Sequence, residues 1–348
     1  MSAVQVGQRT AGAPAGGPDA ASPRRRLGPI LRGAERYALP GILLLIVGFF
    51  SLLPASAPTF VTAANWRILA GNQAVIMLLA VAVLLPLVAG HFDFSIGAVA
   101  SGSSVLAASL MSEGDVRLPW YALAGVAFGT AVGAVNGLLV TRLRANSFVS
   151  TLGAATLLGG LIQWHTGGQT IAARIDPVLI EFGSGAWLGV PPVVFVVALA
   201  VLACWYLLEQ TPYGRCLYAI GSNARAARLV GIPVRRYVLL AFAGAGALAG
   251  LAGALQTSRI GGATADPGTS LLFPALAAAF LGATAIRPGR FNVVGTVIGG
   301  LFVAVSVSGL TLAGASDWVN PVFNGAALLV AVTVSSLLGR QRLSGQLW

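Results

Sequence analysis

Residues 68–88 read ILAGNQAVIMLLAVAVLLPLV, an apolar run without a single Asp, Glu, Lys or Arg. A helix of about 20 such residues is long enough to cross the hydrocarbon core of a bilayer. Lipid offers no partner for free backbone N–H and C=O groups, so runs of this kind predict α-helices. Further apolar runs lie near 37–54, 94–112, 120–140, 148–166, 191–209, 237–257, 271–285, 292–312 and 321–338. Together they predict an all-α polytopic membrane protein with about ten transmembrane helices. The composition agrees: 56% of the 348 residues are hydrophobic, 9% are charged, and the mean hydropathy is +0.84. A soluble domain has no interior for that much apolar surface. Asn65–Leu69 reads as a short interfacial helix leading into the second span.

The net charge of +11 is carried entirely by arginine. The arginines stand in short loops between apolar runs, so they read as topology signals and not as a nucleic-acid stripe. With the N-terminus inside, 17 arginines fall on the cytoplasmic side, and only Arg67, Arg117, Arg174 and Arg259 fall outside. This places both termini in the cytoplasm. Trp66, Trp120, Trp164, Trp187 and Trp318 lie near the outer boundary, as an aromatic belt does. Residues 1–36 are expected to form a disordered basic cytoplasmic tail, 37–338 the transmembrane domain, and 339–348 a second cytoplasmic tail. The first apolar run is long and starts late, so it reads as an uncleaved helix rather than a signal peptide.

The absence of lysine excludes a phosphate-binding P-loop, a protein kinase and a pyridoxal enzyme. If ATP drives this protein, the ATPase is another chain. No cofactor or metal is expected here: Cys204 and Cys216 lack metal or disulfide spacing, and His91 has no second ligand nearby. The chain is read as a transporter component and not an enzyme.

Residues 211–236, TPYGRCLYAIGSNARAARLVGIPVRR, hold five arginines and no acid, so they lie outside the lipid. Within them NARAARLVG predicts a short helix with basic and apolar faces, presented to a soluble partner. Gly129, Gly133 and Gly137 form a double GxxxG on the fourth span; Gly246/Gly250 and Gly295/Gly299 repeat the spacing.

Gly90–Gly97, GHFDFSIG, interrupts two apolar spans with His91, Asp93 and Ser95. An ionised Asp at membrane depth costs about 2.5 kcal/mol or more on insertion scales. Two readings stand: Asp93 or Ser95 caps the following helix, or the break meets solute. Neutral in-span amides, among them Asn72, Gln73 and Gln163, suit hydroxylated, uncharged solutes. Phe92, Phe94 and Phe273 offer stacking faces for a sugar ring. The translocation candidates are therefore His91, Asp93, Phe94, Ser95, Asn72, Gln73, Gln163 and Phe273. A related stretch, Gly289-x-Phe291-Asn292, falls at the corresponding turn before the ninth span and suggests duplicated halves.

Taken together, these motifs resemble the permease subunits of bacterial ABC importers of the ribose/xylose/galactose type, related to the branched-chain amino acid permeases. GHFDFSIG is similar to the family's GGxDLSVG. Residues 136–153 resemble its NGLLV and FIVTLG pair, residues 211–232 its FGR.lYAiGgN..AArlsGI segment, and RPGRFNVVGTVIGG (287–300) its late glycine-rich turn. The resemblance covers about Asn65 to Leu338. His91, where the family commonly has Gly, and Ala285-Ile286-Arg287, where it has small residues, depart from the pattern. The resemblance implies a homodimeric pore in the bacterial plasma membrane, two cytosolic ATP-binding subunits and an extracytoplasmic solute-binding protein. It puts ATPase coupling on Asn223, Ala227, Arg228, Leu229 and Gly231. The expected function is ATP-driven import of a monosaccharide or similar hydroxylated solute. The alternatives are a stand-alone secondary transporter or facilitator for a small polar solute, or an ABC permease for branched-chain amino acids or nucleosides.

Overall fold

The computed structural model describes residues 23–114, 118–266 and 268–344. Its elements are α1 (Pro23–Leu52), α2 (Ala57–Phe60), α3 (Ala63–Val88), α4 (Ile96–Glu113), α5 (Leu118–Thr141), α6 (Ser147–Thr166), α7 (Pro177–Ser184), α8 (Pro192–Gln210), α9 (Pro212–Ser222), α10 (Ala224–Leu229), α11 (Val234–Ile260), α12 (Thr269–Gly282), α13 (Val293–Leu312) and α14 (Val319–Ser344). Each predicted apolar run coincides with a helix. Among the described residues six helices, α3, α5, α6, α8, α11 and α13, are long and apolar enough to cross a membrane. The apolar parts of α1, α12 and α14 are shorter. The serines at 101, 103, 104 and 109 lower the hydropathy of α4.

Side-chain caps mark where the spans begin. Thr62 accepts from Asn65 N, Asn146 from Phe148 and Val149 N, and Asn292 from Gly295 N. Each satisfies backbone donors that a helix start leaves free. Three expectations need correction. Asn65–Leu69 belongs to the first turns of α3, because Thr62 caps it there; the short helix is α2, just upstream. The helix α1 begins at Pro23, so the later part of the supposed basic tail is helical, while residues 1–22 lie outside the described residues. The 211–236 segment holds a second helix, α9, in addition to the short helix that its pattern predicts.

The centre of the bundle is α3, whose residues Leu78 to Leu84 are all fully buried. Around it the helices meet through glycine. A methyl group added at Gly129 would overlap the carbonyl oxygen of Gly246. The same holds for Gly133 against Phe242, Gly250 against Gly125, and Gly253 against Ala100. All three glycines of the fourth-span motif face α11. A second seam joins α12 to α13, with Gly295 against the Gly282 carbonyl and Gly299 against that of Ala278. Lipid supplies no apolar drive between helices, so such close backbone approach is what holds them together.

The loops segregate by end. At one end Phe92 N bonds Ser147 Oγ, Ile286 N bonds Arg36 O, and Tyr218 Oη bonds Phe291 O. At the other, Arg67 Nε bonds Gly189 O, Arg259 bonds Gly183 O, and Ile171 pairs with Ala263. The α3–α4 break, the α5–α6 loop, α9, α10 and the α12–α13 loop therefore share the first end.

Gly129→Ala is expected to lower stability by about 1–3 kcal/mol, because the added methyl has nowhere to go. Gly48→Ala, where a methyl meets nothing within 4 Å, is expected to leave it unchanged. Thermal unfolding followed by tryptophan fluorescence in detergent checks the pair.

Candidate functional site

The chain leaves α3 at Val88 and turns at Gly90, whose φ of 82° favours glycine. Asp93 is 1% exposed. Its Oδ1 accepts from Ser95 N at 2.9 Å and from Ser95 Oγ at 2.6 Å. Ser95 Oγ in turn accepts from Asn136 Nδ2 of α5 at 2.8 Å. This is an Asx turn extended into a side-chain relay. The capping reading is corrected for Ser95 alone: it precedes α4 but makes no side-chain cap, because its hydroxyl donates to Asp93, while Asp93 accepts the Ser95 N–H just ahead of the helix. Phe92 N and Phe94 N donate to Ser147 Oγ and Thr151 Oγ1 of α6, so hydroxyls satisfy a backbone that no helix pairs.

The α12–α13 break matches it. Gly289 has φ 78°, and Asn292 stands where Asp93 does. Asn292 Oδ1 accepts from Gly295 N, while Nδ2 lies 3.1–3.3 Å from the carbonyls of Gly282, Ala285 and Arg290. The two breaks meet through aromatic rings. Phe92 stacks on Phe280 with centroids 6.2 Å apart, and Phe280 meets Phe291 edge-on at 5.3 Å. Phe94 meets Phe148 edge-on at 4.9 Å. Sequence reasoning missed Phe148 and Phe280 as members of this cluster; it met Phe291 only through the repeated Gly-x-Phe spacing.

The predicted translocation residues divide into separate places. Phe94, Gln163 and Phe273 line one cavity of about 380 Å³ between α4, α6 and α12. Asn72 and Gln73 line another of about 390 Å³ between α3, α12, α13 and α14, with Asn320 and Asn324. Gln73 Nε2 there donates to Gly300 O, so that amide also ties α3 to α13. Asn72 Oδ1 accepts from the Arg259 guanidinium. Asn324 is 4% exposed, and its Oδ1 has no partner among the described residues. His91 packs near Phe242, and Asp93 and Ser95 are enclosed. Among the break residues named from sequence, Phe94 lines the cavity between α4, α6 and α12.

The helix α10 is separate from these. Asn223 caps it, accepting from Arg225 N and Ala226 N. Arg225 and Arg228 are exposed, Leu229 is 89% and Val230 77% exposed, and Gly231 closes the helix with φ 86°. Ala227 is a correction: it is 3% exposed and joins the core, so it supports this face from beneath and does not form it.

Residues 68–332 match the family described as branched-chain amino acid transport system / permease component. The chain is 32% identical to the ribose import permease protein RbsC of Escherichia coli K12 over 305 residues, 87% of this chain and 94% of that one. It is 34% identical to RbsC of Bacillus subtilis over 309 residues, 88% and 92% of the two chains. It is 29% identical to the D-allose transport system permease protein AlsC of Escherichia coli K12 over 308 residues, 88% and 93% of the two chains. No solved structure matches. A glycine-seamed helical bundle, a matched pair of polar breaks and this similarity over most of the chain agree: the chain belongs to the branched-chain amino acid transport system permease component family, among the permeases of ABC importers.

Proposed function

We propose that this chain is the membrane-embedded permease of an ATP-driven importer that moves a monosaccharide or a similar hydroxylated solute. The observation that carries the reading is α10, a capped helix with exposed arginines and an exposed apolar tip at the end of the bundle where most loop arginines gather. Its relatives are import permeases named for ribose and allose. The ATP-binding subunits are separate chains, since this sequence contains no lysine for a P-loop. A binding protein outside the membrane delivers the solute, and two copies of this chain form the pore.

In this reading ten helices cross the bilayer of the bacterial plasma membrane, and both termini are cytoplasmic. The segregation of loops supports it: Arg142, Arg144, Arg215, Arg225, Arg228, Arg235, Arg236, Arg287 and Arg290 belong to one end, against Arg67, Arg174 and Arg259 at the other. The paired breaks at Asp93 and Asn292 support duplicated halves. The residues 37–338 form the transmembrane domain, and the chain needs no cofactor of its own. The solute passes the cavity lined by Phe94, Gln163 and Phe273, where rings stack and a neutral amide exchanges hydrogen bonds without ionic cost. Closure of the ATPases moves α10, and the pore alternates between outward-open and inward-open states. Asn223, Arg228, Leu229 and Gly231 form the contact with the ATPase.

Arg228→Glu is expected to abolish stimulation of ATP hydrolysis by loaded binding protein while leaving membrane insertion intact. Assay of the purified complex checks this; unaltered stimulation would remove α10 from the docking role. Asp93→Ala strands the N–H and hydroxyl of Ser95, a loss of about 1–3 kcal/mol, and is expected to impair uptake or folding. Asp93→Asn keeps the Oδ1 acceptor and is expected to retain most uptake in the same proteoliposome assay.

A further inference from the structure

The helix α9 belongs neither to the docking face nor to any span. It starts against α8 through Gly214, where a methyl would overlap the Leu208 carbonyl. Leu217 and Ile220 bury it in the bundle, and Tyr213 stacks on Tyr237 of α11 with centroids 5.3 Å apart. At its far end Asn223 closes α9, its N–H bonding Ala219 O, and also caps α10. The two helices share that residue with no linker, so α10 cannot shift without carrying the end of α9.

The same helix touches both polar breaks. Gly221 packs on the end of α3, where a methyl would overlap the Val88 carbonyl, and Gly90 faces it. On the other side Tyr218 Oη donates to the Phe291 carbonyl at 2.8 Å and stands 3.5 Å from Glu209 Oε1. Burial, reinforced by Glu209, pushes the Tyr218 pKa up to about 12, so the hydroxyl is a donor at neutral pH. The Arg290 guanidinium lies over the Tyr218 ring, 4.4 Å from its centroid. Arg287 forms an ion pair with Glu209, whose side chain is 9% exposed at the end of α8. Between these two arginines and α12 sits Ile286, a β-branched residue at φ 60° whose N–H bonds Arg36 O. A β-branched side chain rarely adopts that conformation, so this loop is held in one shape by its neighbours.

We propose that Tyr218, Glu209, Arg287 and Arg290 are positioning residues that fasten α9 to the α12–α13 break, while Gly221 seats the same helix on the α3–α4 break. A displacement of α10 then moves both breaks together, and with them the Phe92–Phe280–Phe291 cluster that joins them. The inference rests on the importer reading above and adds the path by which the stroke reaches the pore. A residue that acts only on folding has no such effect on nucleotide-dependent motion.

The test uses the permease assembled with its ATP-binding subunits and carrying His91→Cys, on the α3–α4 break and outside the aromatic cluster, as a reporter in a Cys216→Ser background; Cys204 is buried. Maleimide labelling of the reporter is compared without nucleotide and after trapping with ATP and vanadate, alongside ATP hydrolysis. In the parent complex the labelling rate is expected to change by about tenfold, within the span of typical coupling between sites. Tyr218→Phe keeps the ring under Arg290 and removes only the hydroxyl. It is expected to reduce the change to less than about twofold while hydrolysis and assembly persist. Glu209→Arg is expected to do the same, and Glu209→Arg combined with Arg287→Glu to restore the change. A Tyr218→Phe complex that keeps the full change, or a double variant no better than Glu209→Arg alone, overturns the proposal. A parent complex that does not assemble or shows no nucleotide-dependent change overturns the importer reading instead.

Discussion

The rest of this structure depends on backbone meeting backbone at glycine. In lipid, apolar side chains gain nothing by leaving one hydrocarbon for another, so helices cohere through close packing and hydrogen bonds. Here α5 and α11 approach until the carbonyl of Gly246 fills the place of a side chain at Gly129, and that of Gly125 fills it at Gly250. The α12–α13 seam repeats the device at Gly282 and Gly295. These two seams flank α3, and they bring the breaks after α3 and α12 close enough for Phe92 and Phe291 to share Phe280.

The two breaks solve one physical problem with different chemistry. Each leaves backbone groups outside any helix, beside a buried polar side chain, Asp93 or Asn292. At the first, the Asp93 carboxylate takes the N–H and hydroxyl of Ser95, and Asn136 completes the relay from α5. At the second, the Asn292 amide accepts from Gly295 N and faces three carbonyls at once. A carboxylate cannot donate and so would leave those carbonyls unmet, which accounts for the amide there. Both breaks turn at a glycine with positive φ three residues ahead of the buried polar side chain, and each is followed by a long helix.

Much of this was legible in the sequence. The apolar runs mark every long helix, since lipid permits few alternatives to a helix. Glycine spacing on the fourth span predicted a packing ridge, and the 211–236 loop declared itself by its arginines. What stayed hidden depends on long-range contact. Nothing local shows that Ala227 points inward while Leu229 points out, or that Ser95 gives its hydroxyl to Asp93. Phe280 reads as one more apolar residue in α12 until folding sets it between the breaks. Gln163 and Gln73 look alike as in-span amides and each lines a cavity, yet Gln73 also ties α3 to α13. The helix α9 does carry an apolar period, Tyr213, Cys216, Leu217 and Ile220 at i, i+3, i+4 and i+7, which the reading of 211–236 by its arginines passed over.

Under the proposed function, these features serve a pore whose moving parts are fastened to a surface that meets a soluble ATPase. The account's central claim is that the chain transports only when that partner drives it. Uptake of radiolabelled D-ribose or D-allose into proteoliposomes tests this most directly, comparing the permease alone with the permease plus its ATP-binding subunits, solute-binding protein and ATP. The account predicts uptake of a monosaccharide by the full assembly with ATP and none by the permease alone. Equal uptake by the lone permease without nucleotide would contradict it.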